Sequence, residues 1–213
     1  MRDEFRADLN EVNRMLVVMA ESVRGAMRHA TDALLSADQT EAEQVVARDG
    51  EIDARYRLIE DKVYDLLARQ SPVASDLRVV LTALHIAADL ERMGDLAAHV
   101  ARTCLRRFPA PAVPEVLSST FAEMGDVADR IAEKITTALS TSDVVIAAQL
   151  DRDDDAMDDL HRHIFEVMFS DKWSDGTEAA VDTALMGRYY ERFADHAVNA
   201  GRHVVFVVTG ESL

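Results

Sequence analysis

Apolar residues recur every three to four positions along six stretches of the chain, and polar residues fill the positions between them. This period is typical of an amphipathic α-helix with one buried face. The stretches are separated by Pro72, by a proline-containing segment at 109–115, by Gly176 and by short polar turns. The pattern predicts an all-α fold with six helices, at 5–36, 40–70, 76–106, 116–140, 143–170 and 177–208.

The order of these helices repeats, because three helices, a proline-rich link and three more helices follow one another. The stretch ALLSADQTEAEQVVARD in the first half has the same layout as ALSTSDVVIAAQLDRDD in the second. In both, a helix ends, a polar turn with an N-cap residue follows, and a new helix leads into acidic residues. We predict two tandem, pseudo-symmetric antiparallel three-helix bundles. Their predicted bounds are 1–108 and 116–213, with 109–115 as the linker.

The third and sixth helices each present one continuous apolar face, which we expect to be buried. In the third helix, this face comprises Val79, Ala83, Ile86, Leu90, Met93, Ala97, Val100 and Cys104. In the sixth helix, it comprises Ala179, Thr183, Met186, Tyr190, Phe193, Ala197, Ala200 and Val204.

The same two helices carry a polar cassette, Glu-Arg-x-x-Asp, in two copies 100 positions apart. Its members are Glu91, Arg92 and Asp95, and then Glu191, Arg192 and Asp195. In each copy, the two carboxylates lie one helical turn apart and continue a partly apolar line of positions. Two negative charges at this spacing repel each other, and partial burial increases the repulsion. A compensating metal ion or arginine is therefore expected.

The second and fifth helices hold two further acid pairs in matching register, 105 positions apart. They are Asp49 with Asp53, and Asp154 with Asp158. If these helices are neighbours of the third and sixth, four carboxylates converge in each half. A chain this acidic holds about seven acid pairs at this spacing by chance, and Asp61 with Asp65 is one without a counterpart. The repetition, rather than any single pair, therefore indicates a site.

Two interpretations of the paired carboxylates follow from the residue types. Carboxylate oxygens are hard ligands that suit Mg, Mn, Ca or Fe and can bridge several ions. Zinc is less favoured, because the cassettes contain no cysteine and few histidines are available. Alternatively, Arg78, Arg92 and Arg192 form ordinary ion pairs with these acids.

The histidines and the single cysteine are expected to be structural. His99, His161 and His196 are predicted to be surface or capping residues rather than ligands. Cys104 lies on a predicted core face and is expected to be a small buried apolar side chain. A single cysteine permits no internal disulfide, which is typical of a reducing compartment.

The net charge of −16 narrows the classes of partner. Such a surface repels nucleic acid and anionic lipid, and it suits binding to cations or to basic protein surfaces. The first residues, MRDEFRADLNEV, are too polar for a secretory signal, and no apolar run approaches the about 18 residues of a spanning helix. We expect a soluble cytoplasmic protein without nucleic-acid binding or membrane insertion.

The stretch SPVASDLRVVLTALHIAADLERMGDLAAHVA resembles the signature of the PhoU family, the regulators of phosphate uptake. The resemblance covers nearly the whole chain and includes both three-helix repeats and both cassettes. The second half departs from it in two respects. Ala194 stands where the first cassette has Gly94, and the Asp-Leu-Arg entry to the third helix has no second copy.

The resemblance implies a dimeric all-α protein in the cytoplasm, peripheral to the inner membrane through its partners. These partners would be the ATPase subunit of a phosphate ABC transporter and a sensor histidine kinase of a two-component system. The protein would restrain the phosphate-starvation response when phosphate is plentiful. The resemblance also implies multinuclear clusters of Fe, Mn, Mg or Zn. Their ligands would be Asp49 with Asp53, Glu91 with Asp95, Asp154 with Asp158, and Glu191 with Asp195.

We expect a non-enzymatic regulator, because the sequence contains no phosphate-cradling glycine loop and no recognisable nucleophile with its base. Two rival hypotheses stay open. The first is a metal-free helical adaptor whose acids face water or dock on basic partner loops. The second is a carboxylate-bridged di-iron protein, which needs Glu-x-x-His on two helices. Only Asp158 with His161 approaches that spacing.

Overall fold

The computed structural model of the chain describes residues 2–211, with side chains from Glu4 onward. Met1 and residues 212–213, at the outer ends of the two predicted bundles, lie outside the described residues. The helices are α1 (Arg2–Ser36), α2 (Gln39–Gln70), α3 (Ala74–Arg107), α4 (Ser118–Thr141), α5 (Val144–Ala148), α6 (Leu150–Met168) and α7 (Gly176–Thr209). A single 3₁₀ turn, Glu115–Leu117, precedes α4, and no strand occurs among residues 2–211.

The predicted all-α architecture of six long helices is confirmed, with one difference in the second half. The helix predicted at 143–170 forms as two pieces that meet at Gln149. The N–H of Gln149 donates to the carbonyls of Ala147 and Ile146 instead of continuing the helical ladder. A new helix then begins, and its first turn contains Asp151 and Asp153, where the helix dipole favours negative charge.

The duplicated polar turns have the same backbone in both halves. Ala37 and Ser142 each adopt a left-handed conformation, with φ of 54° and 56°. Each is followed by an N-cap aspartate: Asp38 accepts from the N–H of Glu41, and Asp143 accepts from the first turn of α5. The side-chain acceptor satisfies a helix-terminal N–H that has no partner within the helix. The predicted N-cap turns are therefore confirmed.

The two bundles share one hydrophobic core. The first bundle comprises α1, α2 and α3, and the second comprises α4, α6 and α7 with the short α5. The bundles join because α3 packs along α7 and α1 packs along α4. Both predicted apolar faces are buried except at Val79, which is half-buried. Ala112 and Val113 of the connecting segment are also buried in this core. The domain bounds at 108 and 116 stay a prediction.

A close approach between α2 and α3 occurs beside the acidic cassette. A Cβ at Gly94 would lie 2.9 Å from Cδ1 of Ile52 and 3.0 Å from its Cγ2. Glycine therefore lets the two acid-bearing helices come together at this level. In the second bundle, α7 has Ala194 at the equivalent position, and α6 has Met157, unbranched and adaptable, in place of Ile52.

Candidate metal centres

The first acidic cluster lies between α2 and α3, as the matched spacing predicts. One carboxylate oxygen from each of Asp49, Asp53 and Asp95 lies within 4.8 Å of the others. Glu91 faces the same cluster, because Asp95, Asp53 and Asp49 all raise its pKa. All four side chains are half-buried.

Burial leaves the first cluster with incompletely compensated negative charge. Burial is the largest cause of the raised pKa of Asp49. A hydrogen bond of 2.9 Å from Arg102 partly offsets this shift. Burial is also the largest cause of the raised pKa of Glu91, and Arg92 offsets only part of that shift. Arg92 donates to Asp95 over 2.9 Å and lies 3.5 Å from Glu91. Its side chain is 59% exposed, so these contacts are weak.

The second acidic cluster lies between α6 and α7 and is more strongly perturbed. Burial raises the pKa of Asp154 to about 6, and the carboxylates of Asp195 and Asp158 add to this shift. The pKa of Glu191 is also raised, first by burial and then by Asp195. Asp154 and Glu191 are half-buried, whereas Asp158 and Asp195 are exposed.

Two oxygen atoms in the second cluster have no hydrogen-bond partner among the described residues. They are Oδ1 of Asp154 and Oε2 of Glu191, and both atoms are buried. A buried carboxylate oxygen without a donor is unfavourable unless a cation approaches it. Within residues 2–211, no three oxygens of this cluster come as close together as those of Asp49, Asp53 and Asp95.

The arginines that contact the clusters differ in part from the predicted ones. Arg92 lies close to Asp95 and Glu91, but the structure does not place Arg78 or Arg192 in such pairs. Arg78 lies 13 residues before Glu91, about 20 Å along the helix, and donates to the carbonyl of Val207 over 3.3 Å. Arg192 is exposed and forms no ion pair within residues 2–211.

Arg188 and Arg102 form the ion pairs with cluster carboxylates that the sequence assigned to Arg78 and Arg192. Arg188 pairs with Glu191 from one turn earlier on α7, a spacing that places the two side chains on one helix face. That spacing was readable in the sequence. Arg102 reaches Asp49 across the α2–α3 interface, and only the packing of those helices reveals the pair. Arg202, its counterpart, reaches Asp151 over 3.1 Å instead.

Two of the three singled-out histidines have ordinary environments. His99 is exposed and stacks on Tyr189, with ring centroids 5.2 Å apart. Nδ1 of His196 lies 3.0 Å from Oδ1 of Asp89.

His161 and Cys104 are both more enclosed. Nε2 of His161 is buried without a partner among the described residues, and burial lowers the pKa of this imidazole. The predicted burial of Cys104 is confirmed. Its thiol donates to the carbonyl of Ala33 over 3.2 Å, and burial raises its pKa, which makes it unreactive.

A third group of potential ligands was not predicted. Nδ1 of His29 lies 2.8 Å from Oε1 of Glu41, and a ligand atom of Asp32 lies within 4.8 Å of both. His29 and Asp32 are exposed, and this group has no counterpart in the duplicated pattern.

The donor set of the two clusters fits hard cations. Carboxylate oxygens predominate, which is the ligand chemistry of Mg, Mn, Ca and Fe. A bound cation would compensate the buried, unpartnered oxygens of Asp154 and Glu191. Among residues 2–211, no helix combines the length and the apolar composition that crossing a bilayer requires.

The fold and the clusters together define a class of protein: tandem three-helix bundles, each with paired carboxylates on its second and third helices. A model of the PhoU domain family matches residues 16–104 and again residues 121–204. The chain belongs to the PhoU family.

Relatives with curated names span almost the whole chain. The phosphate-specific transport system accessory protein PhoU homolog 2 of Mycobacterium tuberculosis is 44% identical over 210 residues, covering 99% of each protein. PhoU homolog 1 of Thermotoga maritima is 30% identical over 207 residues, covering 96% of this chain and 87% of that protein.

Solved structures have the same fold. PhoU from Pseudomonas aeruginosa superposes with a TM-score of 0.85 at 27% identity, covering 97% of this chain and 100% of that one. The phosphate transport system regulatory protein PhoU from Streptococcus pneumoniae superposes with a TM-score of 0.84 at 24% identity, covering 98% and 99%.

Proposed function

We propose that this protein is a non-enzymatic accessory regulator of phosphate transport that acts by binding, with metal ions held on its two acidic clusters. It restrains phosphate uptake and the phosphate-starvation response by contacting the ATPase subunit of a phosphate ABC transporter and a sensor histidine kinase. It works as a homodimer in the cytoplasm and reaches the inner membrane only through these partners. The proposal is supported by curated relatives that cover 96–99% of the chain and are named accessory proteins of a phosphate-specific transport system.

The observation that carries the metal proposal is the convergence of four acid pairs into two clusters with raised pKa values. Among the described residues, the first cluster has two arginine partners, Arg92 and Arg102, and the second has one, Arg188. These arginines are 45–59% exposed, so their ion pairs supply little compensation. Divalent cations would neutralise the remaining charge and fix the helices of each bundle to one another.

The rival metal-free adaptor is favoured by the arginine contacts, and metal analysis separates the two. We expect protein purified without chelators to contain Mn, Fe, Mg or Zn by elemental mass spectrometry. We expect the variant with both Asp49→Asn and Asp95→Asn to lose the first site, and Asp154→Asn with Glu191→Gln to lose the second. Clean apo protein whose melting temperature does not rise with any of these ions would refute metal binding.

Matched control variants are available on the same helices. Asp61→Asn with Asp65→Asn removes an acid pair of identical spacing on α2 that belongs to no cluster. Asp159→Asn removes an exposed charge on α6, where Asp159 pairs with Arg162. Both controls should keep the full metal content. If they lose as much metal as the cluster variants, the ions are bound by general surface charge.

The regulatory proposal is tested with the partners. We expect the purified protein to bind the transporter ATPase subunit and the cytoplasmic part of the sensor kinase in pull-down and sedimentation assays. Deletion of its gene should switch on the starvation response in phosphate-rich medium, and the wild-type gene should restore repression. Normal repression after deletion would contradict this role, whatever the metal content.

A further inference from the structure

The helices α3 and α7 pack side by side in opposite directions. An open cleft lies at one end of this helix pair. The cleft measures about 910 Å³ and lies between the start of α3 and the last turns of α7. This volume falls in the range of small-molecule sites, about 300–1,000 Å³. Its lining contains no acidic residue, although the chain has 39 Asp and Glu among 213 residues.

Positively charged and titratable groups from both helices line this cleft. Arg78 and His85 come from α3, and Arg202 and His203 come from α7. The rings of His85 and His203 stack, with centroids 5.2 Å apart and planes 17° from parallel. Nε of Arg78 is buried without a hydrogen-bond partner among the described residues. Two arginines and two stacked histidines thus converge in a strongly acidic protein.

The opposite end of the same helix pair can be compared with the cleft end, because each position of α3 corresponds to the position 100 residues later in α7. There, Asp182 accepts from Arg106 over 2.5 Å and lies 3.5 Å from Arg107, which also pairs with Glu178 over 2.9 Å. Asp182 is only 5% exposed, so both arginines at that end have a buried acidic partner within the chain.

The cleft end has no acid at the positions that pair with arginine at the other end. The positions equivalent to Glu178 and Asp182 are Arg78 and Thr82, so a cation replaces one acid and a hydroxyl replaces the other. Basic residues of α3 and α7 therefore face each other without an acidic partner on the lining. An anion from outside the chain would complete the arrangement.

Two acids beside the cleft, Asp89 and Asp151, have partners within the chain. Asp89 lies 3.0 Å from Nδ1 of His196 and 3.9 Å from Nε2 of His203. Asp151 pairs with Arg202 over 3.1 Å, and both side chains are about half exposed. An exposed ion pair of this kind is weak, so Arg202 can exchange Asp151 for a ligand.

The remaining lining suits the body of an organic ligand. Leu77, Leu81 and Phe206 form an apolar wall, and Leu81 is 42% exposed. The guanidinium of Arg78 lies 5.5 Å from the centre of the Phe206 ring, which places positive charge beside the apolar wall. Ser75 and Asn199 add hydrogen-bonding groups at the edges.

We propose that this cleft binds a phosphorylated small molecule of the nucleotide class, with its phosphate on Arg78, Arg202 and the paired histidines and its base against the Leu77, Leu81 and Phe206 wall. Arginine recognises phosphate through planar, charge-assisted hydrogen bonds. The apolar wall gives an organic phosphate an advantage over inorganic phosphate. This site is separate from the acidic clusters and stands or falls independently of metal binding.

Calorimetric titration with adenosine monophosphate in metal-free buffer tests the proposal, because this ligand chelates cations only weakly. We expect saturable binding with a dissociation constant of about 10 μM to 1 mM. Inorganic phosphate should bind at least about tenfold more weakly, since it has no contact with the apolar wall. The ring proton signals of His85 and His203 should shift during the titration in an NMR spectrum.

Variants locate the site within the cleft. Arg202→Gln and His85→Gln should each weaken binding by about tenfold. Arg14→Gln, which removes an equally charged but 72% exposed side chain on α1, should leave binding unchanged. A circular dichroism melt identifies any variant that fails to fold.

Three results would overturn the proposal. The first is the absence of saturable binding by adenosine monophosphate. The second is equal affinity for inorganic phosphate, which would remove the role of the apolar wall. The third is affinity that is unchanged in folded Arg202→Gln and His85→Gln protein.

Discussion

At the scale of single residues, the hydroxyl of Tyr190 is a polar group whose burial requires a hydrogen-bond partner inside the molecule. Tyr190 is fully buried between the bundles, and its hydroxyl lies 2.7 Å from Oγ1 of Thr31 on α1. Thr31 in turn donates to the carbonyl of Met27 over 2.9 Å. The Tyr190 hydroxyl is therefore the donor to Thr31, and this chain of hydrogen bonds joins α7 to α1.

Replacing Tyr190 by Phe should destabilise the protein by about 1 kcal/mol, because one buried hydrogen bond is lost while Thr31 keeps its other partner. Urea unfolding followed by far-UV circular dichroism measures the change. Tyr189→Phe is the matched control, since that neighbouring ring stacks on exposed His99. A loss of several kcal/mol in Tyr190→Phe would mean that the hydroxyl supports more than this single bond.

Asp154 makes the stability of the metal-free protein dependent on pH. Its pKa is about 6 in the folded chain, against an ordinary value of 3.8, so the folded state holds this proton more tightly than the unfolded state. Raising the pH from about 4 to about 7 therefore lowers the free energy of unfolding. Asp154→Asn removes this contribution, and the variant should gain stability relative to wild type as the pH rises.

Urea unfolding with chelator present, at pH values between about 4 and 7, measures this difference. Asp159→Asn, an exposed change on the same helix, should follow the wild-type dependence. A constant difference between Asp154→Asn and wild type across this range would show that Asp154 ionises freely. Saturating Mn²⁺ should abolish the penalty at neutral pH, because the ion favours the charged carboxylates.

At the scale of elements, much of the helical framework was predictable because local signals agree with the final packing. Pro72, the polar turns and the 3.6-residue period place the helices correctly. The break at Gln149 was not predictable. The chain tightens for one turn there, and Ala147 and Leu150 on either side are both buried, so the apolar pattern continues across it. The spacing of apolar residues does not reveal a change in backbone hydrogen bonding of this kind.

The sequence predicts which carboxylates form each acidic cluster, but it does not predict which arginines pair with them. Helical register fixes which carboxylates share a face, and duplication indicates which pairs matter. The choice of arginine partner depends on side-chain reach across helices. Arg102 therefore contacts Asp49, while its counterpart Arg202 contacts Asp151, and no arginine with a described side chain pairs with Asp154. The two halves therefore differ in arginine contacts across helices, which helical register does not determine.

The matched N-caps give a prediction about the elements themselves. Asp38→Ala and Asp143→Ala should each destabilise the protein by about 1 kcal/mol, because each leaves helix-terminal N–H groups without an acceptor. Asp38→Asn and Asp143→Asn should be nearly neutral, since asparagine also caps well. Denaturant midpoints of the four variants test this. Equal losses in the Asn and Ala variants would assign the effect to charge rather than to capping.

At the scale of the whole molecule, the two similar bundles are packed against each other around one core. The α3–α7 and α1–α4 contacts merge their cores, and connecting residues such as Leu117 are buried with them. Two bundles with one core should unfold together. By contrast, bundles joined only by the linker at 109–115 would unfold in separate steps.

The single Trp and the single Cys report on opposite halves and allow this to be measured. Trp173 packs against the core of the second bundle, and Cys104 is buried in the first. Urea unfolding followed by Trp173 fluorescence and by thiol labelling of Cys104 should give one midpoint, with and without metal. Val204→Ala in α7 should shift both probes equally, because loss of a buried side chain weakens the common core. Two separated midpoints would show that each bundle is a folding unit, and the shared core would then contribute little to holding the acid-bearing helices in place.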